Sequence, residues 1–96
     1  MFLFSVVPLP SNPVYARASG GGATVVVKGD DLKSACAAAR QYLRDYNWKI
    51  LKLEDGGYAI EDRAKTERDR ELFRKARRNG IACSFDLGRR GGVQFN

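Results

Sequence analysis

The sequence predicts an α+β fold, because from Thr24 onward it reads as strand, helix, strand, strand, helix, strand. That order places two helices over one face of a four-stranded antiparallel sheet. Three observations carry the prediction. Apolar residues recur at three- and four-residue steps from Leu32 to Tyr46, the stretch Ile81 to Leu87 alternates cleanly, and Gly, Pro and Asp punctuate the segments between.

Phe2 to Val7 is rich in aromatic and β-branched residues and is stopped by Pro8, Pro10 and Pro13, so it predicts a short strand. A Pro/Gly-rich loop is expected over residues 8–22, ending in Gly20-Gly21-Gly22, and a connection of that length is expected to be mobile or functional. Thr24 to Lys28 predicts the next strand, closed by Gly29, with Asp30 or Asp31 able to cap a helix. In that helix Leu32, Ala35, Cys36, Ala39, Leu43 and Tyr46 form one stripe, with Lys33, Arg40 and Arg44 outside it.

Trp48 to Leu53 predicts a strand, Asp55-Gly56 a tight turn, and Tyr58 to Glu61 the returning strand of a hairpin. A second helix is expected from about Thr66 to Asn79. Thr66-x-x-Asp69 resembles a capping box there, and Gly80 supplies a left-handed C-terminal residue. Its apolar stripe is thin: Leu72, Phe73 and Ala76. Ile81, Cys83, Phe85 and Leu87 share one face of the last strand, and a flexible basic tail is expected over residues 88–96.

Over residues 24–87 the order βαββαβ resembles the ferredoxin-like split arrangement, a two-layer sandwich. The resemblance is to a fold and names no function. It leaves the N-terminal strand as an extra one, expected at a sheet edge or on a second subunit.

Ninety-six residues fit one domain, 1–96, with one core. Histidine is absent, which argues against proton-transfer chemistry and transition-metal binding. The two cysteines, Cys36 and Cys83, are too few for a structural zinc site and suit a reduced, cytoplasmic setting. No catalytic cluster appears at a telling spacing, and Asp30, Asp31, Asp55 and Asp62 fall where caps and turns want them. A non-enzymatic protein without cofactor or metal is therefore expected. No apolar run is long enough to cross a membrane. Met1 to Leu9 with Ala16-Arg17-Ala18 is weighed as a signal peptide and set aside, because positive side chains are missing and the prolines cut the apolar stretch.

The net charge is +6. Residues 1–60 carry seven Lys/Arg against five acids, and residues 61–96 carry ten against six. Arg70, Arg74, Arg77 and Arg78 share one helical face, and with Arg89 and Arg90 they form the candidate nucleic-acid-binding set. Interleaved Glu67, Asp69 and Glu71 also suit a plainly solvated helix. An RNA-recognition motif is disfavoured, since Thr24 to Lys28 has no aromatic and Ile60 stands where one belongs. The triple glycine is no phosphate loop, for it precedes a strand instead of opening a helix.

The sheet face away from the helices is expected to show Val26, Trp48 and Ile50, or Leu51 and Leu53 in the other register, and an exposed apolar face needs a cover. Val26, Trp48 and Ile50 are thus the candidate interface. The expected function is association with itself, as a homodimer, or with a protein partner; the alternative is a nucleic-acid-binding accessory protein.

Overall fold

The computed structural model describes residues 1–29, 31–58, 64 and 66–89. Strands β1 (Phe2–Pro8), β2 (Ala18–Val27), β3 (Trp48–Gly56) and β4 (Ile81–Arg89) form one antiparallel sheet, with helices α1 (Leu32–Asp45) and α2 (Glu67–Asn79) between the later strands. The strand order is β3-β1-β2-β4.

This α+β sheet departs from the expected ferredoxin-like order in its first strand. β1 is neither extra nor at an edge. It pairs with β2 on one side and β3 on the other, so the element order among the described residues is ββαβαβ. In that central place Phe2, Phe4 and Val6 are at most 3% exposed, covered on the α1 face with strands on either side. Asp55 and Gly56 are not a turn, because they continue β3 opposite Leu3 and Phe2. Tyr58 lies outside any strand, and the rest of the expected return strand, residues 59–61, falls outside the described residues, as does the tail beyond Arg89.

The helices cover opposite faces of the sheet, not one. Paired residues of antiparallel strands share a face and successive residues alternate. Val25 and Cys83 look toward α1, in a core of Phe2, Phe4, Val6, Ala23, Ala39, Leu43 and Trp48. Val26 and Ala82, one residue on, look the other way and meet Leu72, Phe73 and Ala76 of α2. α1 spans β2 and β3, whereas α2 lies over β4 and β2.

Helix boundaries follow local chemistry. Asp31 caps α1 by accepting from the Lys33 amide at 3.1 Å, and its carboxyl is held below the usual range by hydrogen bonds from the Ser34 hydroxyl and the Lys33 amide. Asn47, at φ 65°, ends the helix in the left-handed region. Thr66 caps α2 through the Asp69 amide at 3.1 Å, and Gly80 closes it at φ 88°.

The expected loop over residues 8–22 is shorter and more ordered than its composition implies. β2 starts at Ala18, so the triple glycine is strand. Gly20 has φ 125°, and a Cβ at Gly21 would collide with the Asp86 carbonyl oxygen and lie 2.9 Å from the Leu87 Cα. Residues 9–17 are built from turns and docked by Asn12, 6% exposed, whose amide donates to the carbonyls of Tyr46 and Asn47 at 3.1 and 3.2 Å while its oxygen accepts from the Val14 amide at 3.0 Å. A buried amide satisfied on both ends ties this turn to the C-terminus of α1.

Candidate functional site

The two sheet edges are built differently. β3 is irregular: register shifts between Leu3 and Phe4 and between Ser5 and Val6 interrupt its pairing with β1. It also carries Lys49, Lys52, Glu54 and Asp55, and Glu54 accepts from the Ser5 hydroxyl at 3.0 Å. Bulges and charges of this kind keep an edge from pairing with another chain. β4 has neither device along most of its length. It runs in unbroken register from Ile81 to Gly88, with Asp86 as the one charged residue in that stretch.

The direction of the β4 backbone groups follows from its partners. The Lys28 amide donates to the Gly80 carbonyl at 2.9 Å, and the Asp86 carbonyl crowds Gly21, so the even-numbered residues of β4 turn their backbone groups toward β2. Cys83, Phe85 and Leu87 therefore turn theirs outward. One of these groups is occupied. Arg68, on the first turn of α2, donates from Nε to the Ser84 hydroxyl at 2.6 Å and from Nη2 to the Phe85 carbonyl at 2.9 Å. A side chain from α2 thus reaches round the sheet and shields the midpoint of its open edge.

Side chains along this edge divide by face. Cys83, Phe85 and Leu87 are half-buried on the α1 side, while Ser84 and Asp86 lie on the side of Arg68. Burial pushes the Cys83 thiol up to about 12, which keeps it neutral and apolar in character.

The candidate interface residues lie inside the single chain. Trp48 is 6% exposed and Val26 5%, and Ile50 packs against the main core. Moreover, they do not share a face, since Val26 looks to α2 and the other two to α1. The expectation of a bare apolar face assumed both helices on one side; with α2 on the second face, Val26 is covered by Leu72 and Ala76. Leu51 is 57% exposed, whereas Leu53 packs on the core.

The basic helix is knitted to its own acids. Arg74 bonds to Glu67 and Glu71, each at 3.1 Å, and those carboxylates raise its pKa further; Arg70 lies 3.5 Å from Glu67. Arg77 and Arg78 sit on the last turn, where the helix dipole favours cations. Arg89 ends β4, and Arg90 lies outside the described residues. Arg68, outside the candidate set, is an arginine that contacts the sheet edge. Its position seven residues before Lys75 carries no such signal, because the contact is tertiary.

Among the described residues no helix is long and apolar enough to cross a membrane, and no three His, Cys, Asp or Glu side chains converge as metal ligands would. Comparisons with protein-family models, curated proteins and solved structures return no match.

Proposed function

We propose that this chain is a non-enzymatic association module that pairs with a second copy of itself through the β4 edge. The observation that supports the reading is the contrast between the edges: β3 is bulged and charged, whereas β4 is regular from Ile81 to Gly88 and, among the described residues, shielded by Arg68 at its midpoint.

The midpoint of β4 is Phe85. Antiparallel pairing about a two-fold axis there sets Phe85 against the partner's Phe85 and Cys83 against the partner's Leu87, so the outward-turned backbone groups meet as hydrogen-bonded pairs. Ser84 then faces the partner's Asp86. Arg68, already on Ser84, exchanges the Phe85 carbonyl for that carboxylate, and a charged acceptor gives the stronger bond. The half-buried Cys83, Phe85 and Leu87 side chains lose their remaining water in the same step, each cross-strand pair contributing about 0.2–1 kcal/mol.

Light scattering on a concentration series tests this. The wild type is expected to approach the dimer mass, with little change between low and high salt. Leu87→Pro removes an outward donor that the fold itself does not use, and it should give a folded monomer. Asp86→Arg should also give a monomer, and Arg68→Asp combined with Asp86→Arg should restore the dimer. A wild type that stays monomeric to about 100 µM, or a Leu87→Pro dimer, sinks the reading.

Phosphate binding ranks second. It rests on the arginines of α2 together with Arg89 and Arg90, of which Arg70 and Arg74 are held by Glu67 and Glu71. A mass shift on adding single-stranded RNA or duplex DNA, lost steeply as salt rises, would favour it instead.

A further inference from the structure

The thin apolar stripe of α2 leaves space unfilled at one end of the sheet. Leu72 and Ala76 seat on Val26 and Ala82, but Ala76 is small, and Phe73 beside it is only half-buried. Where β2 ends and α1 begins, the chain turns through Gly29, at φ 158°, with open space around it. Between the start of α1 and the last turns of α2 a cavity of about 290 Å³ results, walled by Phe2, Val26, Leu32 and Phe73 and bordered by Lys28 and Arg77. Among the described residues no acidic one borders it. The Lys28 side chain is exposed, and among the described residues it makes no ion pair.

We infer that this cavity binds a small amphiphile, an apolar tail ending in an anionic head, with the tail between Val26, Leu32 and Phe73 and the head at Lys28 and Arg77. The volume sits at the lower end of the range of about 300–1,000 Å³ typical of small-molecule sites, so the tail is short. Met1, Gly57 and Tyr58 join the lining, with the Met1 ammonium on the Gly57 carbonyl at 2.9 Å. Apolar walls with cations at the rim favour an apolar tail within and an anionic head at the mouth. The cavity lies between the helix ends, lined by no residue of β4, and it stands or falls independently of self-association.

Calorimetric titration of the full chain with octanoate, octanol and octyltrimethylammonium reads the inference directly. Octanoate should bind about fivefold more tightly than octanol, the worth of one or two partly exposed ion pairs, and the cation more weakly than either. The double variant Lys28→Ala with Arg77→Ala should bring octanoate and octanol to parity while leaving octanol affinity unchanged, which also shows that the cavity is intact. Leu32→Asp, at the first helical position where an acid suits the helix dipole, should abolish octanoate binding without unfolding the chain. Equal affinity of the wild type for all three probes, or an anion preference that survives in the double variant, overturns it.

Discussion

The rings of Trp48 and Phe85 stack with centroids 4.6 Å apart and planes 19° from parallel, although these residues stand on β3 and β4, the two opposite edges of the sheet. Three strand spacings of about 4.8 Å separate those edges. On β2 the face beneath the rings is low: Ala23, opposite Phe85, is fully buried, and Gly21 lies next on that face. One side chain from each edge therefore bridges the central pair on the α1 face.

Trp48→Ala removes one half of that bridge and should destabilise the chain by about 3–5 kcal/mol, the range for deleting a buried aromatic. Trp48→Phe should recover part of the loss. Denaturant midpoints at constant m-value check both, and a loss under about 1 kcal/mol would mean that the stack contributes little.

Asn12→Ala takes from the Tyr46 and Asn47 carbonyls the side-chain donor they share, leaving Asn47 only the Leu9 amide, an expected cost of about 1–3 kcal/mol. Amide exchange should quicken at the C-terminus of α1 and in residues 9–17 together, because the Asn12 side chain joins the two segments beside the Leu9 amide bond to the Asn47 carbonyl. Faster exchange in one of the two segments alone would contradict that coupling.

Gly21→Ala forces a methyl group against the β4 backbone, which cannot retreat without breaking its ladder, and should cost at least about 2 kcal/mol. Gly57→Ala is the control. Nothing lies within 4 Å of a Cβ there, so its effect should stay within about 0.5 kcal/mol. Thermal melts of the two variants side by side make the comparison.

Burial raises the Cys83 thiol from 9.0 to about 12. At pH 8 the folded chain then holds roughly a thousandth of the thiolate of the unfolded one, and alkylation should slow on that order. The sign for stability follows: the folded state retains the proton more tightly, so its advantage is complete below pH 9 and is lost as pH rises toward 12. Cys83→Ala should flatten that alkaline decline, and mass spectrometry of alkylated peptides reads the labelling.

The helices and β4 were legible in the sequence because each announces itself locally. The stripe from Leu32 to Leu43, the caps at Asp31 and Thr66, and Gly80 all work within one turn of where they stand. The centre of the sheet was not legible, since Phe2, Phe4 and Val6 alternate equally well for an edge strand, and the partner of a strand is fixed by tertiary pairing. The triple glycine reads as flexibility when its neighbours are unknown; it is small because β1 and β4 crowd it. One clue did stand in the open. Val25-Val26-Val27 is a continuous apolar run, the pattern of a strand buried on both faces, and it contradicts two helices on one side. Nothing comparable marks Arg68, whose contacts with Ser84 and Phe85 span 16 and 17 residues.

Placing the two earliest strands at the centre has a consequence for how the chain assembles during synthesis. β1 and β2 pair through a nine-residue connection before α1 and α2 are made; β3 then adds to β1, and β4 to β2. Growth runs outward in the direction of translation, and no strand waits for a later one to supply its neighbour. Once β3 has closed β1, the border of β2 alone awaits its strand, and that strand, β4, arrives with the Arg68 that shields it already synthesised.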